Sequence, residues 1–107
     1  METIKSKREF ERVFKDGRRY RHPLVRVTVL RVDGEGCGRV AFVAAKRLGN
    51  AVHRNRCKRV LREAARMCGL PAKGADVILF ATPATFGAKP AAVSAALGDL
   101  RRRAGIA

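Results

Sequence analysis

From Cys57 onward, apolar or small residues recur at 57, 60, 61, 64, 65 and 68, the spacing that gathers them on one stripe of an α-helix. A helix of this kind, predicted over Val52 to Cys68, must lay its stripe against another layer, so the rest of the chain has to supply one. Asn50, after the break at Leu48-Gly49, is a suitable N-cap, and Gly69-Leu70-Pro71 stops the helix. Its other face carries the charge. Between Lys46 and Arg66 stand eight basic residues, at 46, 47, 54, 56, 58, 59, 62 and 66, against the single acid Glu63. At about 100° per residue, Asn55, Lys58, Arg59, Arg62 and Arg66 fall within roughly a third of the circumference, opposite the apolar stripe.

The receiving layer is legible on both sides of this helix. Ser6-Lys7-Arg8-Glu9 has the spacing of a capping box and opens a helix from about Lys7 to Asp16, which Gly17 is expected to close in the left-handed conformation. Phe10, Val13 and Phe14 share one of its faces. Leu24 to Arg31 alternates Val25, Val27 and Val29 with Arg26 and Thr28, the pattern of a half-exposed strand. Turn residues from Asp33 to Gly38 lead into a second strand, Arg39 to Ala45, and the two are expected to form an antiparallel hairpin. Asp76 to Ala81 contains the run Val77-Ile78-Leu79-Phe80, which suits an interior strand. Thr82 to Lys89 reads as a loop. Pro90 then opens a last helix with Val93, Ala96, Leu97 and Leu100 as its stripe and Arg101 to Arg103 in its last turn. The order is helix, strand, strand, helix, strand, helix, with room for a short extra strand near Arg19 to His22. That is an α+β domain, a single small sheet with helices packed on it, and 107 residues suit one domain, 1–107.

Charge narrows the function. The chain has 24 Lys plus Arg against 9 Asp plus Glu, a formal +15, and such a field attracts polyanions. A bilayer-spanning role is disfavoured because no stretch approaches the roughly 20 apolar residues required. The N-terminus has no apolar core of the kind a signal peptide needs, so a cytoplasmic protein is expected. Cys37, Cys57 and Cys68 form no Cys-x-x-Cys pair, and with only His22 and His53 beside them no metal site is expected; the thiols are read as free.

An exposed helix normally mixes signs, gaining a few tenths of a kcal/mol from each opposite pair, whereas residues 55 to 66 stack like charges. That repulsion calls for an anionic partner, for which Arg offers planar bidentate phosphate recognition and Asn55 a donor and an acceptor. Phe10 and Phe14 have two readings, core pair or platform for unstacked bases, the latter beside a sheet bearing Arg26, Thr28 and Lys46. His53 has no positioned carboxylate or thiol to make it catalytic. Phosphate-cradling Gly-rich loops, zinc motifs and paired carboxylates are all missing from the sequence.

The stretch Phe42-Val43-Ala44-Ala45-Lys46-Arg47-Leu48-Gly49-Asn50-Ala51-Val52-His53-Arg54-Asn55-Arg56-Cys57-Lys58-Arg59-Val60-Leu61-Arg62-Glu63-Ala64 closely resembles the signature of the bacterial ribonuclease P protein subunit. Arg8 to Gly17 resembles that family's first helix, and the resemblance extends over nearly the whole chain. It implies a left-handed βαβ crossover through the basic helix, against the usual right-handed rule. It also implies a role in removing the 5′ leader of precursor tRNA, in a ribonucleoprotein whose RNA and Mg²⁺ ions carry the chemistry. On this resemblance Arg54, Asn55, Arg56, Lys58, Arg59, Arg62 and Arg66 contact the catalytic RNA, one protein to each RNA. Phe10, Phe14, Arg26, Thr28 and Lys46 line a cleft for the single-stranded leader. No catalytic residue and no protein-bound metal is implied. Thr28, Ala45 and Thr82 stand where the family often has Tyr, Ser and a basic residue, which implies a less aromatic and less charged cleft. The alternative is a general RNA binder of ribosomal or chaperone type using the same helix.

Overall fold

The computed structural model describes residues 2–32 and 38–106. Its elements are α1 (Lys7–Asp16), β1 (Arg18–His22), β2 (Val25–Arg31), β3 (Val40–Val43), a 3₁₀ turn (Lys46–Leu48), α2 (Ala51–Met67), β4 (Ala75–Ala81) and α3 (Pro90–Ala104). The helix signals act as read. Ser6 accepts the Glu9 amide at the start of α1 (3.1 Å), and Asn50 accepts the His53 amide at the start of α2 (2.9 Å), each satisfying a donor that a helix leaves orphaned. Pro90 occupies the opening turn of α3.

One four-stranded sheet runs in the order β1-β2-β4-β3. Here the expected hairpin between the two valine-rich strands is corrected: β2 and β3 do not pair. β4 lies between them, antiparallel to β2 and parallel to β3. The physical reason is its composition. A strand apolar on both faces is stable only where both faces are covered, so β4 takes the interior, and from Ala75 to Leu79 every residue is buried. The hairpin forms between β1 and β2 across the turn at Pro23 and Leu24. β1 thus fills the place of the extra strand and, with Arg18, Arg19 and Arg21, makes a charged edge. The turn residues Asp33 to Cys37 lie outside the described residues.

Alternation along the strands divides the sheet into two faces. One carries Val25, Val27, Val29, Val40, Val77 and Leu79 against Cys57, Val60 and Leu61 of α2 and Val93, Leu97 and Leu100 of α3, forming the main core. β3 and β4 are joined through α2, so the basic helix is itself the crossover of a βαβ unit. The other face is covered by α1, beneath which Val13, Thr28 and Ile78 are buried. β2 is therefore not half-exposed as its alternation suggested: Thr28 is 1% exposed.

Gly17 also differs from expectation. Its φ of −77° and ψ of 161° are extended, not left-handed. It is required by crowding, since a Cβ there would lie 2.6 Å from the Val13 carbonyl oxygen and 2.7 Å from Thr28 Cγ2. The close approach lets the chain turn from α1 straight into β1. An arginine then clasps α1 to the sheet: Arg39 pairs with both Glu9 of α1 and Asp76 of β4, and its amide donates to Asp76 Oδ1 (2.8 Å). The guanidinium holds the Glu9 carboxyl below the usual carboxylate range, and the two acids together push Arg39 still higher.

Candidate nucleic-acid interface

Register places the side chains of the α1-covered face in rows, because directly paired residues sit side by side on one face. One row reads Arg19, Thr28, Ile78, Ala41 and the next Arg21, Arg26, Phe80, Val43. α1 closes over the first row, where Thr28 and Ile78 are buried, and leaves the second accessible. The result is a cleft of about 430 Å³ whose lining includes Phe14, Arg19, Arg26, Arg47, Thr28 and Phe80. A second hollow of about 420 Å³ adjoins it, shares Arg21, Arg26 and Arg47, and is completed by His22, Pro23, Thr82 and Pro83.

The aromatic side of the cleft is a short stack. Phe10 and Phe14 are nearly parallel at 6.4 Å between centroids, and Phe14 meets Phe80 at 5.9 Å with a tilt of 58°. Exposure differs between neighbours on this helix. Val13 is the residue of α1 that enters the interior, at 1% exposure, whereas Phe14 is 42% exposed. Arg19 covers part of Phe14, its guanidinium carbon 4.5 Å from the ring centroid while Nη2 donates to the Phe14 carbonyl (3.0 Å). Rings beside guanidinium groups offer both stacking and charge to a polyanion.

Of the cleft residues predicted from sequence, Phe14, Arg26 and Thr28 line it, Thr28 as buried floor, and Phe10 extends it through Phe14. Lys46 stands exposed in the 3₁₀ turn outside the lining, and its neighbour Arg47 takes that place. Sequence reasoning missed Phe80, Arg19 and Arg21. Phe80 was hidden in an apolar run, although its place two residues after Ile78 puts it on the α1 face. These residues add one ring and two cations to the cleft.

On α2, Asn55, Arg56, Arg59, Arg62 and Arg66 are exposed, Arg54 and Lys58 are half-buried, and Cys57, Val60, Leu61, Ala64 and Ala65 are buried. The face is organised rather than loose. Arg62 lies over Phe42 of β3 (5.3 Å to the centroid), Arg66 pairs with Glu63 (2.9 Å), and Arg56 engages Phe86 in the loop before α3. Among the described residues Lys58 and Arg59 form no ion pair. Burial raises the thiols of Cys57 and Cys68 above their ordinary value, so both favour the neutral form. The acids Glu9, Asp76, Glu63 and Asp99 are each paired with an arginine. Among the described residues no three His, Cys, Asp or Glu side chains assemble a metal site, and no helix is long and apolar enough to cross a membrane.

Comparison with known proteins decides the family. The family model described as Ribonuclease P matches residues 1–105. The chain belongs to the ribonuclease P protein family. A curated relative, the ribonuclease P protein component of Gluconacetobacter diazotrophicus, is 38% identical over 101 residues, covering 92% of this chain and 84% of that one. The fold is similar to that of the Staphylococcus aureus RNase P protein, with a TM-score of 0.77 and 25% identity over 97% of this chain and 95% of that one. It is also similar to the Thermotoga maritima RNase P protein, with a TM-score of 0.78 and 24% identity over 96% and 97% of the two chains. As a ribonuclease P protein the chain is one component of a ribonucleoprotein nuclease of tRNA 5′ processing, and its partner is the RNA subunit.

Proposed function

We propose that the two cationic surfaces divide the labour of this subunit. The basic face of α2, with Arg54, Asn55, Arg56, Lys58, Arg59, Arg62 and Arg66, binds the catalytic RNA, while the cleft between α1 and the sheet holds the single-stranded 5′ leader of precursor tRNA. The observation that carries the second half is the row Arg21, Arg26, Phe80, Val43, which α1 leaves partly open beside Phe14. It sets rings that can stack on bases beside cations that can meet phosphates, in a cleft of about 430 Å³.

In this reading the protein does no bond chemistry. Mg²⁺, bound mainly by the RNA subunit, supplies charge stabilisation at the scissile phosphate, and the protein holds the leader and favours precursor over mature tRNA by binding what only the precursor has. Reconstitution tests the division. At Mg²⁺ concentrations too low for the RNA alone, adding the protein to a bacterial ribonuclease P RNA should restore leader cleavage. Absence of stimulation at every protein concentration, or cleavage by protein freed of RNA, would overturn it.

A further inference from the structure

The loop between β4 and α3 is latched at its start by two buried threonines. Thr82 Oγ1 donates to the Pro23 carbonyl (2.5 Å), Thr85 Oγ1 donates to the Leu24 carbonyl (2.7 Å), and the Thr82 amide donates to Thr85 Oγ1 (2.8 Å). Thr85 is fully buried. The loop is thereby fixed to the turn between β1 and β2, which borders the cationic hollow beside the cleft.

Phe86, the next residue, lies across the first turns of α2. Its ring stacks on His53 at 4.0 Å with an interplanar angle of 8°. The guanidinium carbon of Arg56 stands 5.2 Å from the same ring centroid, and Arg56 Nε donates to the Phe86 carbonyl (3.1 Å). His53 is itself held close, since a Cβ on Gly49, whose φ is +144°, would come within 2.9 Å of its ring. Phe86 remains 38% exposed, so this contact is made at the surface.

The consequence falls on Arg56. An exposed arginine has many rotamers and loses most of them when it binds a phosphate. Here the Nε donor is already used and the guanidinium stands over a ring, which leaves the terminal amino groups, Nη1 and Nη2, to meet an anion. We propose that Phe86 is a positioning residue for RNA binding: it orders Arg56 before the RNA arrives and, through the threonine latch, fixes that arginine relative to the cleft. The proposal rests on the reading that α2 contacts the RNA subunit.

A double-mutant cycle on the full chain tests it, with Kd for ribonuclease P RNA as the readout and thermal melts alongside. Phe86→Leu keeps an apolar side chain and the backbone acceptor but removes the ring face. It should weaken binding about two- to tenfold, the range expected from ordering one rotamer-rich side chain during binding instead of before it. Phe86→Tyr should restore wild-type affinity. In an Arg56→Ala background, Phe86→Leu should have no further effect. In the free protein, the ring-current shift of the Arg56 Nε–H resonance should vanish in Phe86→Leu and persist in Phe86→Tyr. Equal weakening by Phe86→Leu in both backgrounds, or none in the wild type while Arg56→Ala still weakens binding, overturns the positioning role alone. Unchanged binding in both Arg56→Ala and Arg59→Ala overturns the reading of α2 and this proposal with it.

Discussion

Phe14 and Phe80 meet across the gap between α1 and the sheet, their ring centroids 5.9 Å apart and their planes tilted by 58°. One ring comes from a helix and the other from the interior strand β4, so the aromatic site exists only when α1 is docked. Docking in turn depends on Val13, buried beneath the helix, and on the clasp of Arg39 to Glu9 and Asp76.

Neighbouring residues of α1 should therefore separate stability from binding. Val13→Ala removes two buried methyl groups and should cost about 2 kcal/mol in a urea melt. Phe14→Ala, at a half-exposed site, should cost less stability than Val13→Ala. A larger stability loss for Phe14→Ala would mean that the ring is structural.

Acid should loosen the same helix. Glu9 has its carboxyl held below the ordinary value of 4.5, chiefly by its hydrogen bond to Arg39. A depressed folded-state value contributes stability that is present above the unfolded value and disappears as pH falls through the folded one. The melting temperature should thus fall more steeply below about pH 4.5 in the wild type than in Glu9→Gln. Parallel curves would show that the pair contributes nothing to folding.

Much of this architecture is legible in the sequence because helix signals are local. Ser6, Asn50 and Pro90 mark three starts, and the stripes at Cys57 to Ala65 and Val93 to Leu100 are buried as their spacing implies. Strand order is not local. Adjacent valine-rich strands suggest a hairpin, but the demand of Val77-Ile78-Leu79 for cover on both faces places β4 between them. β1 is faint for a related reason: Arg18-Arg19-Tyr20-Arg21-His22 has little apolar content, and it becomes a strand by pairing with β2. The cleft inherits both difficulties. Arg19 and Arg21 reach it from the faint strand and Phe80 from the run whose alternation is invisible, so only Phe14, Arg26 and Thr28 of its lining are readable beforehand.

The threonine latch should matter to folding as well as to Phe86. Thr85→Val keeps the shape but removes a hydroxyl that donates to the Leu24 carbonyl and accepts from the Thr82 amide. Leaving two buried groups unpaired should cost about 1–3 kcal/mol in a denaturant melt. Unchanged stability would show that the hydroxyl is dispensable.

On the basic helix, Arg59 is exposed and forms no ion pair among the described residues. If it neutralises one phosphate of the RNA subunit, Arg59→Ala should weaken binding and flatten the log–log salt dependence by about 0.7 to 0.9. Weaker binding with an unchanged slope would assign Arg59 some other contact.

The most direct test of the divided surfaces is the ratio of Kd values for mature and precursor tRNA, measured with reconstituted holoenzyme carrying Phe14→Ala and Phe80→Ala singly and together. The cleft reading predicts that each change weakens precursor binding by about 1–3 kcal/mol and leaves mature tRNA binding unchanged, so the ratio collapses toward one. A ratio equal to that of the wild type, in variants that still fold and still bind the RNA subunit, would contradict it.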